Sequence, residues 1–481
     1  MKPAAATGLA LLLLTAAACG TSGSSQNSTG GQITLKIWDF SMEQVEFHKK
    51  VTDQFTKEHP NIKVEWRSIA QAEYKTTLPL AFQSRQSPDI FYWSENGPLN
   101  SRILLNNGWI KPLHPSGTAP DEFIKRWPQG SFIEGVNLID GKAHGFPFTD
   151  NLYWGGGYMF MHNDVFKQAG LDPASPPRTF SELKAACAKI RSATKAECIT
   201  SPNKGADVMR LFDSFAGVVM NGSGFDLKSG RFSLDDPRIL STFNFIQELN
   251  KAGYIAPGTN DKNFSRQQFA AGQAAIYFDG TWMPSVWTSQ GFASDKYSVA
   301  AQPLPDAGRT GAPGREPNLE KYFVSSQTKN HDAAWTFLDW MTKPDGFFVQ
   351  EYYKGGFGTL SYADNKKMVT DPALRKIMEI AETPGFRVNI PVPLLKCPDL
   401  AKSKAYQSAI SKRPDWAAEI ITETLNNGGT LDAAAKELVT ARQTALEEGL
   451  KAEAASGLKV SMDCYTFPDF DHVTDYGLDR Y

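Results

Sequence analysis

An α/β fold in two lobes is what the sequence predicts, and three observations carry that expectation. The chain has 481 residues, well beyond one ordinary domain, so two lobes are the natural arrangement. After a polar N-terminal stretch, strand and helix patterns alternate at lengths that build an open parallel sheet with helices on both faces. The composition, 41% hydrophobic and 21% charged, is that of a water-soluble globular protein.

The N-terminus is a processing signal rather than part of the fold. Lys2 precedes an apolar run from Ala4 to Ala18 that contains Leu11-Leu12-Leu13-Leu14. Spanning a bilayer takes about 20 apolar residues, so residues 1–18 read as a signal peptide. The run ends in Ala16-Ala17-Ala18-Cys19-Gly20, similar to a bacterial lipobox with Ala16 where Leu is usual. Cys19 is therefore expected to be lipidated, the alternative being an ordinary small-residue cleavage site. Residues 19–31 form a polar tether: Thr21 to Gly31 holds no apolar side chain that could pack. The mature protein is expected outside the cytoplasm, anchored to the cell membrane by lipid alone.

Beyond the tether, Ile33-Thr34-Leu35-Lys36-Ile37-Trp38 alternates apolar and polar residues as a first strand. A helix over 42–58 stops at Pro60, and Asn61-Ile62-Lys63-Val64-Glu65-Trp66 is the second strand. A helix over 74–83 leads to the short buried strand Pro88-Asp89-Ile90-Phe91-Tyr92-Trp93. Ligands of such sheets bind at the carboxyl ends of the strands, which singles out Trp38 and Asp39, and Trp93, Glu95 and Asn96. Asp150, Asn151, Tyr153 and Trp154 precede Gly155-Gly156-Gly157. Polar and aromatic residues beside a glycine run indicate close backbone approach, a hinge, or both. Tyr158-Met159-Phe160-Met161-His162 is a further strand, and Thr179 with Glu182 forms a capping box. Helices follow over 211–220, 237–252 and 264–271. The strand Gln273-Ala274-Ala275-Ile276-Tyr277-Phe278 then runs into Asp279-Gly280-Thr281-Trp282. Residues 333–341 and much of 403–450 are helical.

A net charge of -2 gives no electrostatic ground for nucleic-acid binding. Of five cysteines, Cys19 goes to lipid. The remaining four, outside the cytosol, suggest two disulfides. Cys187 with Cys198 and Cys397 with Cys464 is the preferred of three pairings. There is no close Cys-x-x-Cys pair and only 7 His, so neither a metal nor a cofactor is expected.

Taken in order, several passages resemble the extracellular solute-binding proteins of sugar importers of the ATP-binding-cassette type. They are the first strand with Trp38, Lys57-Glu58-His59-Pro60-Asn61-Ile62-Lys63-Val64, Ser87-Pro88-Asp89-Ile90 and Gly145-Phe146-Pro147-Phe148. Met161-His162-Asn163-Asp164-Val165-Phe166, Phe269-Ala270-Ala271-Gly272-Gln273-Ala274-Ala275-Ile276 with Asp279-Gly280-Thr281-Trp282, and His331-Asp332-Ala333-Ala334-Trp335 continue the series. The resemblance implies a periplasmic-binding-protein-like fold with a hinge and an interlobe cleft. Residues 32–148 and 282–328 would make lobe 1, and residues 149–281 and 329–456 lobe 2. Residues 457–481 would be a C-terminal extension packed on the body. It further implies a monomeric, non-enzymatic protein that captures a carbohydrate, of two or more units, and delivers it to the permease subunits of the transporter. Ligand touching both lobes would favour the closed state.

Sugars present flat C–H faces and rings of hydroxyls, which call for aromatic platforms and planar polar side chains. Trp282 matches the family's sugar-stacking tryptophan, and Asp279 beside it is a hydroxyl acceptor or a turn cap. Gly356 and Phe357 fall where the family has a ligand-facing glycine turn, although the usual following proline is missing. Arg387 is a further donor. Two rival readings are a secreted glycoside hydrolase, which needs two carboxyls flanking one bond, and a binding protein for a non-sugar solute such as a peptide or metal chelate. No Gly-x-Ser-x-Gly, His-Glu-x-x-His or phosphate-cradling motif is present.

Overall fold

The alternation between Ile33 and Trp38 becomes the strand Ile33–Asp39, with Leu35 and Ile37 fully buried and Lys36 exposed between them. It pairs in parallel with Ile62–Ser68 on one side and Ile90–Ser94 on the other. Glu320–Ser325 extends this six-stranded sheet in the antiparallel sense, contacting Ile90–Ser94, Ile110–Lys111 and Gly145–Pro147. Helix Val45–Glu58 covers one face through Phe47, Val51 and Phe55. Helix Gln71–Gln83 covers the other through Tyr74, Leu78 and Phe82, against Phe91, Trp93 and Phe323. Helices on both faces are what a parallel sheet requires to bury its two sides.

In this computed structural model the described residues are 32–94, 104–153, 155–203, 205–222, 224–258, 261–315, 320–364, 366–411 and 416–481. The signal segment, Cys19, the tether, Glu95, Asn96 and Trp154 lie outside them.

The second sheet has four strands in the order Tyr297–Ala301, Tyr158–His162, Ala274–Asp279 and Glu197–Thr200. Every residue of Tyr158–His162 and Ala274–Asp279 is buried, because both faces are covered. Helices Phe180–Ala193, Met209–Ala216 and Pro237–Lys251, with helices from the last third of the chain, pack on one face. Trp287, Phe269 and helix Pro372–Ala381 pack on the other. The capping box holds: Thr179 Oγ1 accepts from the Glu182 amide at 3.2 Å, while Glu182 reaches back to the Arg178 amide at 2.6 Å.

Two segments fall in the opposite lobe from the one expected. Tyr297–Ala301, expected in lobe 1, pairs along the whole of Tyr158–His162 in the second sheet, and the return to the first sheet comes only at Glu320–Ser325. Helices His331–Met341 and Phe347–Lys354, expected in lobe 2, pack on the first sheet's helix, where Phe337 meets Phe55 and Phe348 meets Phe47. Motif order carries no information on contacts between distant segments, and such contacts, strand pairing in the first case and helix packing in the second, decide the two placements.

Both preferred disulfides form. Cys187–Cys198 ties helix Phe180–Ala193 to strand Glu197–Thr200, and Cys397–Cys464 fastens the tail beyond Gly457 to the body. The tail buries Tyr465, Phe467, Phe470 and Tyr476. Asp475 accepts from Arg315 at 2.7 Å and from the Asn389 amide at 2.6 Å. Tyr481 accepts at its hydroxyl from the Val392 amide. No helix among the described residues is long and apolar enough to cross a membrane.

Candidate functional site

The carboxyl ends of the first-sheet strands and the end of Ala274–Asp279 open onto one cavity of about 790 Å³ between the two sheets. On the first-lobe side its wall is a connected set of rings. Phe40 lies 5.1 Å from Tyr92, Tyr92 5.0 Å from Tyr322, and Phe148 5.1 Å from Tyr322 and 5.5 Å from Tyr352. On the second-lobe side stand Trp282, Arg210, Lys262, Arg266 and Arg387. Lys262 Nζ donates to Gln71 Oε1 at 2.5 Å, so the two walls touch across the opening. Such a site offers apolar platforms and fixed N–H donors in one concave space.

Asn151, Trp282 and Arg387 are the sequence candidates that line this cavity. Trp282 follows Gly280, whose missing side chain leaves room for the indole to fold back over the turn. The Arg210 guanidinium lies 5.8 Å from the indole centre. Arg387 is 8% exposed, its Nη2 donating to the Gly156 carbonyl. The glycine run has its explanation here. A Cβ on Gly155 would come within 2.6 Å of Arg387 Nη1, and one on Gly157 within 2.8 Å of Gln302 Oε1. Both glycines have φ in the left-handed range, at 136° and 96°.

Other candidates take different roles. Strand side chains alternate between faces, so Tyr92 and Ser94 reach the cavity while Trp93 turns into the small core beside Tyr74 and Trp109. Trp38 likewise packs at that core, with Arg67 at 5.2 Å from its ring. Asp279 is 3% exposed and is no acceptor for a ligand hydroxyl. Its oxygens take Arg210 at 2.9 Å, Arg266 at 2.9 Å and the Tyr277 hydroxyl at 2.8 Å. Burial pushes its carboxyl up, and the two arginines outweigh that and hold it below the ordinary carboxylate value. Asp39 is fully buried, 3.3 Å from His48 Nε2. Burial, partly offset by hydrogen bonds from Ser68, Ser41 and Trp66, lifts Asp39 to about 7. Burial lowers His48 to about 3.

Asp150 lines a separate cavity behind the crossing, formed with the tail residues Tyr476 and Tyr481. Tyr153 is spent on Glu382, at 2.7 Å, and Lys366, at 2.8 Å. Phe357 packs on Phe47 at 5.0 Å, and Gly356 with φ 67° closes helix Phe347–Lys354, so neither faces the cavity. Glu95, Asn96 and Trp154 lie outside the described residues.

Sequence reasoning missed Glu43, Gln71, Arg210, Lys262, Arg266 and Arg315, all of which line the cavity. Glu43 and Gln71 follow the ends of the first two strands, so the rule that indicated Trp38 could have found them. For the arginines the signal is long-range pairing to Asp279 and Asp475, which one sequence does not display.

Two α/β lobes with a polar and aromatic cleft between them define a solute-binding protein of the hinged kind. The family description for bacterial extracellular solute-binding proteins matches residues 42–346, and the chain belongs to that family. It is 27% identical over 285 residues to an uncharacterized extracellular-binding protein of an ABC transporter from Pyrococcus horikoshii. That match covers 57% of this chain and 61% of the relative, so the chain matches less than two thirds of that protein's length. A maltotriose-binding protein of Pyrococcus abyssi is 22% identical over 324 residues, 66% of this chain and 64% of its own. Among solved structures, the GacH receptor of Streptomyces glaucescens superposes with a TM-score of 0.63 at 19% identity, over 86% of this chain and 98% of its own. That last likeness is one of fold.

Proposed function

We propose that this protein captures a carbohydrate in the cleft and hands it, unaltered, to the permease of an ATP-driven importer. One observation carries the reading. A first-lobe wall of tilted and edge-to-face rings and a second-lobe wall of Trp282 with planar nitrogen donors enclose the same cavity, matching the two faces a sugar presents. The Pyrococcus abyssi relative is named for maltotriose and the GacH receptor for its complex with acarbose, which supports a saccharide, while a Pectobacterium atrosepticum relative, 26% identical, is named for sn-glycerol-3-phosphate. Among the described residues lining the cavity, Glu43 is the one carboxylate, whereas glycoside hydrolysis needs two. This favours binding over hydrolysis. The protein acts as a monomer outside the cytoplasm, held to the membrane through lipid on Cys19.

Titration of the mature protein with mono- and oligosaccharides, followed by intrinsic fluorescence and calorimetry, tests this. A saturable response is expected, with the sugar recovered intact by mass spectrometry. Trp282→Ala is expected to weaken binding about tenfold or more, from the lost stacking surface, with little change in Tm. No response to any saccharide, or the appearance of cleaved products, would sink the reading. Cys19→Ala should release the protein from membranes into the medium.

A further inference from the structure

Five cationic side chains line the cleft, namely Arg210, Lys262, Arg266, Arg315 and Arg387. Lys262 is held by Gln71 and Arg315 by Asp475, which leaves three to account for. Arg210 and Arg266 share the buried carboxylate of Asp279, and Arg210 also meets Asp207 at 3.0 Å. That group is internally compensated. Arg387 is different, because among the described residues no carboxylate pairs with it. Its Nε has no hydrogen-bond partner among the described residues, and it lies beside the rings of Tyr158 and Phe386 at 5.9 and 5.8 Å. Arg315, whose Nη2 is taken by Asp475 at 2.7 Å while its Nε lacks a partner among the described residues, adds its repulsion.

Burial of a guanidinium without counter-charge is costly, and arginine does not escape by losing its proton. Burial draws Arg387 below its ordinary pKa, Tyr158 opposes this, and Arg315 adds to it. A neutral hydroxyl could fill one hydrogen bond there but would leave the charge uncompensated. A planar or tetrahedral oxyanion does both, and guanidinium geometry suits carboxylate and phosphate alike.

We propose that the saccharide taken by this cleft carries an oxyanion, a carboxylate or a phosphate, which docks against Arg387 and Arg315. The inference rests on the carbohydrate reading above and names its ligand class. The purely structural alternative is that Arg387 only braces the Gly155–Gly157 backbone.

The test is calorimetry of the mature full-length protein against matched probes: galactobiose with digalacturonate, glucose with glucuronate and glucose 6-phosphate, and inorganic phosphate alone. The acidic member of at least one pair should bind about tenfold or more tighter than its neutral partner, with affinity falling as salt rises. The uronate and phosphate arms tell the two oxyanions apart. Arg387→Gln should abolish the preference by weakening the acidic member about tenfold or more, well beyond whatever it costs the neutral member. Arg315→Gln serves as the second variant if the first does not fold. Equal binding of neutral and acidic partners by the unmodified protein, or equal weakening of both by Arg387→Gln, overturns the proposal and leaves the carbohydrate reading standing. Binding of inorganic phosphate with no saccharide of any kind overturns the carbohydrate reading and keeps the anion site. No binding of any probe overturns both.

Discussion

Asp39 and Asp279 occupy the same place in the two lobes, each the last residue of a sheet strand that runs toward the cleft. Both are sealed from solvent, at 0% and 3% exposure. Their charge states nevertheless diverge. Asp279 has two guanidinium groups against it and is held ionised. Asp39 has His48, itself buried and driven toward the neutral form, so burial wins and its carboxyl rises to about 7. Burial alone therefore does not fix the state of a buried acid, and the neighbouring cation decides it.

The sharpest way to break that contrast is Asp279→Asn. It keeps the shape but strips the buried Arg266 and the half-buried Arg210 of their shared counter-charge, and a loss of about 3–5 kcal/mol is expected. The change should appear in the denaturant midpoint at unchanged slope. A loss below about 1 kcal/mol would mean that the arginines find other partners.

Asp39→Asn should act in the opposite sense and depend on pH. Asp39's folded value lies above its ordinary 3.8. Its contribution is thus fully present below about 4 and is lost as pH rises through about 7. The asparagine variant does not titrate, so its stability relative to the unmodified protein should climb between pH 4 and 8, by at most about 4 kcal/mol. His48, depressed from 6.5 to about 3, has the opposite sign: its stability is present above 6.5 and is lost as pH falls toward 3. In the unmodified protein the two terms oppose one another over the acidic range, and the variant should show a steeper acid decline. Melting curves across that range read both effects. Parallel curves for the two proteins would refute the assignment.

The smallest effect is expected for Asp207→Asn, which removes the half-exposed partner of Arg210 and leaves Asp279 in place. A change within about 1 kcal/mol is expected, shrinking with added salt. A larger one would move the compensating charge from Asp279 to Asp207.

Local patterns were largely legible. The strands beginning at Ile33 and Ile90, the Thr179 cap and both disulfides follow from period-two alternation, capping chemistry and cysteine arithmetic, whereas Trp282 is singled out by the family resemblance. Side-chain direction was not. The rule of strand ends found the right end of the sheet, but one residue of offset puts Tyr92 rather than Trp93 in the cleft. Asp279 reads in sequence as a hydroxyl acceptor or a turn cap, because its pairing to Arg266 and Arg210, 13 and 69 positions away, leaves no local pattern. The lobe of Tyr297–Ala301 was hidden for the same reason, since its partner strand begins near residue 158. The glycine run, which in sequence reads as a close approach, a hinge or both, does meet a close neighbour. What approaches is the protein's own Arg387.

The last residues of the chain acquire a consequence from where Asp475 sits. Its carboxylate is the counter-charge of Arg315 and also pins the Asn389 amide, on the short strand that leads away from Arg387. The C-terminus thus sets how much bare positive charge the cavity floor presents, from outside the cavity itself. A proteolytic nick beyond Phe470 should leave both lobes intact and steepen the ionic-strength dependence of ligand capture, which titrations before and after cleavage would reveal.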